Sequence, residues 1–180
     1  TCVMSSLAQL ADLLHDAPLL ERVKRFYDNG LWKLRDELGW SPEAVFQTGT
    51  DHGELNNSGD ILETALILGR WGYPQYYHDA ERMLRGHILP AQLRDVSFIE
   101  DSPNPSGEDR FRDVARRHRG AFGFAAPYGH QSIGTGRSGC ISFNMDVVGG
   151  TVNSLVEAYR EATRFEPTGH WVNLLFDHAT

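Results

Sequence analysis

Apolar residues recur every three or four positions along five or six separate stretches, while strict alternation over four or more residues is nearly absent before the last ten positions. A repeat of that spacing buries one stripe of an α-helix and cannot bury one face of a strand. The chain is therefore expected to be mainly α. Met4, Leu7, Leu10, Leu13 and Leu14 form a first stripe. A second runs through Leu19, Leu20, Val23, Phe26, Tyr27, Leu31, Leu34 and Leu38, with Pro18 where a first-turn proline is tolerated. Asn57-Ser58-Gly59-Asp60 offers capping side chains, and Ile61 to Leu68 is apolar on nearly every side, which predicts an enclosed inner helix. After Gly72-Tyr73-Pro74, the residues Tyr76, Tyr77, Ala80, Met83, Leu84 and Ile88 mark a partner helix, completing a helical hairpin.

Pro103, Pro105 and Gly107 make residues 100–108 an exposed loop, followed by a short helix from about Asp109 to Arg117. Between Gly120 and Gly150 the chain is glycine-rich with few long apolar runs, the composition of a binding or active-site loop. Met145, Val148, Val152, Leu155, Val156, Tyr159 and Ala162 define a last helix ending near Phe165-Glu166-Pro167. Trp171 to Phe176 has strand composition, with no partner strand expected for it. Helix pairs of about 40 to 50 residues suggest a repeated hairpin architecture.

Composition narrows the function classes. Seventeen Lys and Arg against 24 Asp and Glu give a formal charge of -7, the opposite of the basic footprint that a nucleic-acid binder needs. No apolar run approaches the roughly 20 residues of a membrane span. The opening Thr1-Cys2-Val3-Met4 has no signal-peptide pattern and reads as an interior stretch of a longer protein, so localisation stays open. The two cysteines, Cys2 and Cys140, allow only one internal disulfide, so no disulfide framework is implied.

The densest polar cluster runs from Thr48 to Asn57, immediately ahead of the inner helix. Asp51, His52 and Glu54 at a helix entrance can be aimed into a cavity, where burial raises a carboxyl pKa towards the range of acid catalysis. Two such carboxylates are the working parts of a glycosidase. The structural alternative has Asp51 and Asn57 capping the helix and His52 on the surface. Glu43 is a reserve carboxylate on the same segment. In the glycine-rich loop, Tyr128, His130 and Cys140 are the chemistry-bearing residues, with Cys140 either a thiolate or an inert buried thiol. Gly134-Thr135-Gly136-Arg137-Ser138-Gly139 matches a dinucleotide-loop spacing but lacks the flanking strand and βαβ unit. Neither CxxC nor HExxH spacing is present, so the residues themselves name no metal. Trp40, Trp71, Tyr73, Tyr76 and Tyr77 suit either sugar stacking or the core.

Glu54 to Ala65, Trp71 to Tyr77 and Ala80 to Leu84 resemble the helical hairpins of six-hairpin glycosidases, closest to the β-L-arabinofuranosidase-like group. The resemblance spans about residues 45–90 and 138–178. It implies an (α/α)6 toroid followed by β-sandwich domains, with residues 1–168 as part of the toroid and 169–180 as the first sandwich strand. About six of twelve helices are visible, so the chain corresponds to the C-terminal half of the barrel, with another chain or copy supplying the rest. In that family a Glu-x-Cys motif and a later cysteine pair hold zinc, and one cysteine is the nucleophile. Glu54 and Cys140 match, whereas Asn56 and Ile141 stand where two cysteine ligands would be. Zinc would then require His52 or His130 as replacement ligands. The expected function is a carbohydrate-active domain hydrolysing a glycosidic bond, with Glu54, Asp51 and Cys140 catalytic. His52, Asn56, Tyr128 and His130 would bind the sugar. The alternative is a non-catalytic sugar-binding or scaffold module that keeps the toroid without its chemistry.

Overall fold

A computed structural model describes residues 1–31, 37–39, 41–42, 54–97, 103–109, 112–122 and 145–175. Its helices are α1 (Cys2–Leu14), α2 (Ala17–Gly30), α3 (Leu55–Arg70), α4 (Gln75–Met83), α5 (Val114–His118) and α6 (Met145–Glu161). Two strands, β1 (Thr163–Glu166) and β2 (Gly169–Val172), follow α6 as an antiparallel hairpin. The protein is mainly α.

The α1–α2 turn is nearly as short as a helical connection can be. His15 takes a left-handed conformation, Asp16 N–H reaches back to the Ala11 carbonyl at 2.8 Å, and the Asp16 carboxylate accepts the Leu19 N–H at 2.9 Å. One residue thus ends one helix and caps the next. Pro18 falls in the first turn of α2, where its missing N–H has no intrahelical acceptor to lose. At the end of α3, Gly72 supplies the positive φ (98°) that lets Tyr73 N–H bond the Leu68 carbonyl.

Side-chain pairings fix the helix directions. Thr1 meets Asn57 and Asp60, Ser5 meets Glu63, and Asp12 meets Arg70, so α1 and α3 run parallel. Gly59 lies against Ser154, and Arg70 bonds Glu161, so α6 runs parallel to α3 as well. Behind them Glu21 faces Tyr73, and Tyr27 faces Asp79 at 3.1 Å, which makes α2 and α4 parallel to each other. The result is two layers: α1, α3 and α6 in front, α2 and α4 behind.

The inner helix expected at Ile61–Leu68 is present, and Ile61, Leu62, Ala65 and Leu68 are fully buried. It begins earlier than expected, because Glu54 caps it, so Asn57 to Asp60 form its first turns. Tyr76, Tyr77, Ala80, Met83, Leu84 and Ile88 all enter the core as the spacing predicts, although Leu84–Ile88 form a π-helical turn. Trp71 and Tyr73 pack against that core, consistent with a structural role, while Trp40 lies outside the described residues.

Three expectations need correction. In α1 the buried residues are Met4, Ser5, Ala8 and Ala11, whereas Leu10, Leu13 and Leu14 are exposed. Small side chains let the α1 and α3 backbones approach, which turns the larger ones outward. In α6 the same happens: Thr151, Ser154 and Ala158 are buried, while Val152, Val156 and Tyr159 face outward. Finally, the C-terminal strand has a partner. Thr163–Glu166, expected as the tail of a helix, pairs with Gly169–Val172 around Pro167-Thr168. β-Branched and aromatic residues flanking a Pro/Gly turn outweighed the helical period there.

Two buried phenols on α4 make folding sensitive to alkali through their protonation: Tyr76 ties α4 to α2 within the rear layer, and Tyr77 ties α4 to α6 across the layers. Burial, reinforced by the Asp28 carboxylate 2.5 Å from its hydroxyl, pushes Tyr76 up to about 12. Burial and the Glu161 carboxylate push Tyr77 up to about 12 as well. Both values exceed the unfolded tyrosine's value of about 10. Their contribution is therefore complete below pH 10 and is lost as pH rises through 12. Urea midpoints measured across the alkaline range are expected to hold level to pH 10 and then fall. A level profile up to pH 12 would contradict the prediction, and Tyr76→Phe should remove part of the fall.

Candidate functional site

Helix α3 is apolar on most sides but carries one polar stripe: Asn56, Asp60, Glu63 and Arg70, at intervals that keep them on one face. That face looks into the gap between α1 and α6. Two adjoining cavities of about 390 Å³ each occupy the gap and share Gln9, Glu63 and Asn153 as lining residues. Together they form one groove, with α3 as floor and α1 and α6 as walls.

At one end Asn56 and Gly59 lie close to Gly150 and Ser154 of α6, a contact that only small residues permit. A Cβ on Gly59 would collide with the Ser154 hydroxyl, which donates to the Gly150 carbonyl at 3.0 Å. Along the α1 wall, Thr1 Oγ1 donates to Asp60 at 2.7 Å, and the Ser5 hydroxyl donates to Glu63. Burial pushes the Asp60 carboxyl up; the Thr1 hydroxyl and amino group oppose this, and the Glu63 carboxylate adds to it.

The other end is closed by Arg70. Its guanidinium bonds Asp12 of α1 at 2.5 Å and also Glu161 of α6, tying the front three helices together. Asp12 accepts a further bond from the Trp71 indole at 2.6 Å, and Glu161 one from the Tyr77 hydroxyl at 3.3 Å. Burial works to raise the Asp12 carboxyl, but the bonds from Trp71 and Arg70 outweigh it and hold Asp12 below its ordinary value. Burial likewise acts to lower Arg70, and its two carboxylates reverse this and hold it more firmly protonated. Chemically, the groove offers amides, hydroxyls and carboxylates, hydrogen-bonding groups for a polar ligand, over a closely packed floor.

The sequence-derived candidates divide. Asn56 lines the groove. Glu54 stands at its rim as the cap of α3: its carboxylate accepts the Asn56 N–H at 2.9 Å, and its own N–H bonds the Ser41 carbonyl at 2.8 Å. The cap is Glu54, not Asp51 or Asn57. Asp51, His52, Tyr128, His130, Cys140 and the reserve Glu43 lie outside the described residues. Among the described residues, no group of three or more His, Cys, Asp or Glu side chains is placed to hold a metal ion, and no helix is long and apolar enough to cross a membrane. Sequence reasoning missed Asp60 and Glu63 as groove residues. The signal was the polar stripe on an otherwise apolar helix.

Comparison with known protein families, with curated proteins and with solved structures finds no match to this chain.

Proposed function

We propose that the chain is part of a carbohydrate-active domain of the six-hairpin glycosidase type, with the groove between α1, α3 and α6 as its saccharide site. The observation that carries the reading is the layering. Parallel front helices, each of the first two returning through a helix of the rear layer, form the repeating unit of an α/α toroid, and a toroid presents its front layer to the central cavity. The polar groove lies on that front layer. Its lining suits sugar hydroxyls better than an apolar ligand.

Within the groove we assign the acid/base work to Asp60 and Glu63. Asp60, whose carboxyl burial pushes up, is suited to donate a proton to a leaving glycosidic oxygen. Glu63 is the adjoining carboxylate, and Asn56 with Asn153 would hold hydroxyls. Glu54 contributes by setting the entry of α3. The reading is tested with a panel of aryl glycosides. Asp60→Asn and Glu63→Gln are expected to lose at least about 100-fold in turnover, the scale of a lost general acid or base, while melting as the parent does. Turnover unchanged in both variants would remove the assignment. One observation favours a second reading: Glu54, a candidate acid, is engaged as a helix cap, as in a non-catalytic module. That reading expects saccharide binding without turnover.

A further inference from the structure

The α1–α2 hairpin carries an apolar furrow of about 500 Å³ that shares no lining residue with the polar groove. Val3, Met4 and Leu7 of α1 and Leu19, Val23 and Phe26 of α2 form its walls. On α1 the apolar row continues past the furrow: Val3, Leu7, Leu10 and Leu14, spaced i, i+4, i+7 and i+11, are all exposed. That row is about 16 Å long, three turns of helix. These are the large side chains that close packing against α3 turns outward, and a connected run of them on a surface marks a contact site.

Arg22 is the one charged side chain on the furrow's lining among the described residues. It makes no hydrogen bond or ion pair among the described residues, whereas every other arginine on the described helices pairs with a carboxylate. In a chain with 24 acids against 17 bases, an unpaired guanidinium beside an apolar wall is the exception. A carboxylate brought to it would form a charge-assisted, two-armed bond.

Length and charge together select the occupant. A helix laid along the furrow can match a three-turn row with an apolar stripe of its own. A small amphiphile would stay wet, because Val3 and Phe26 are 69% and 55% exposed and a ligand pocket buries most of what it binds. A second copy seated face to face would set the Arg22-bearing patch against itself.

We propose that the α1–α2 furrow docks an amphipathic helix of a partner protein, its apolar stripe on Val3, Leu7, Leu10, Leu14 and Phe26 and a Glu or Asp on Arg22. The surface is separate from the polar groove, so the proposal stands apart from the carbohydrate reading.

The test uses the full chain and two synthetic alanine-based helices of about 18 residues, each with leucines at i, i+4, i+7 and i+11. One carries a glutamate flanking the stripe, and the other a glutamine there. By fluorescence anisotropy at low salt, the glutamate helix is expected to bind roughly fivefold more tightly, the scale of one partly exposed ion pair. Arg22→Gln should erase that difference, and Arg160→Gln on α6 should keep it. Leu7→Gln and Phe26→Gln should each weaken both helices by at least about tenfold. Binding of neither helix, or equal binding of both, overturns the proposal. Palmitate bound through Arg22 while both helices fail gives the furrow to a small amphiphile, and self-association in sedimentation velocity that Phe26→Gln abolishes gives it to a second copy. Either outcome overturns the partner helix.

Discussion

Replacing Arg70 by alanine is expected to lower the unfolding free energy by about 3 kcal/mol, the scale of breaking a largely buried ion pair by removing one partner. The side chains of Arg70, Asp12 and Glu161 are 28%, 30% and 11% exposed, so solvent screens the pairs only partly. Without the guanidinium, Asp12 and Glu161 face one another across the end of the groove with no intervening cation. For a chain of this length the loss corresponds to a melting point lower by about 6–12 °C. Arg70→Lys keeps the charge but not the two-armed geometry, and should recover only part of the stability. A loss below about 1 kcal/mol in urea denaturation would show that the pairs behave as surface ion pairs. The tie joining α1, α3 and α6 would then have to be sought elsewhere.

The second large effect is expected at Gly69→Val. A Cβ at this position would lie 2.7–2.8 Å from the Tyr77 ring, closer than real contacts allow. Tyr77 is buried, and its hydroxyl is held by Glu161, so the ring has little room to withdraw. Overpacking of this kind costs about 1–3 kcal/mol, and the few tenths that valine gains over glycine in helix propensity offset only a small part of it. A net loss of about 2 kcal/mol is expected from equilibrium unfolding. Combining it with Tyr77→Leu should cost less than the sum of the two single changes, because the smaller side chain vacates the space. Additive losses would show that α3 and α4 separate at this point without strain.

These two sites show what could be read from the sequence. Apolar spacing located the enclosed helix from Ile61 to Leu68 and the core positions of its partner through Ile88, because dense burial leaves few alternatives for large apolar residues. It failed at α1 and α6. There the interface is made by Ala8, Ala11, Gly59, Gly150 and Ser154, and the leucines and valines that dominate the pattern face outward. Close helix contact selects small residues, and small residues carry almost no hydrophobic signal. The hairpin at Thr163–Val172 was missed for a related reason: four-residue strands are too short for a period to outweigh the helix before them. Of the residues named from the polar cluster, Asn56 lines the groove. Asp60 and Glu63 were hidden because a carboxylate near a helix start also looks like a capping residue.

The front layer has a consequence for the order in which this chain assembles. The α1–α2 and α3–α4 hairpins are built from neighbouring segments and close short loops. The Arg70–Glu161 bond instead joins residues 91 positions apart, and Tyr77–Glu161 joins residues 84 apart. Contacts of such long sequence separation pay their closure entropy late. The wall supplied by α6 is thus expected to dock after the hairpins have formed, and the groove exists only from that step onward. A ligand bound there would favour the completed chain over every partly assembled form, slowing its unfolding while leaving the early hairpins to form at their own rate.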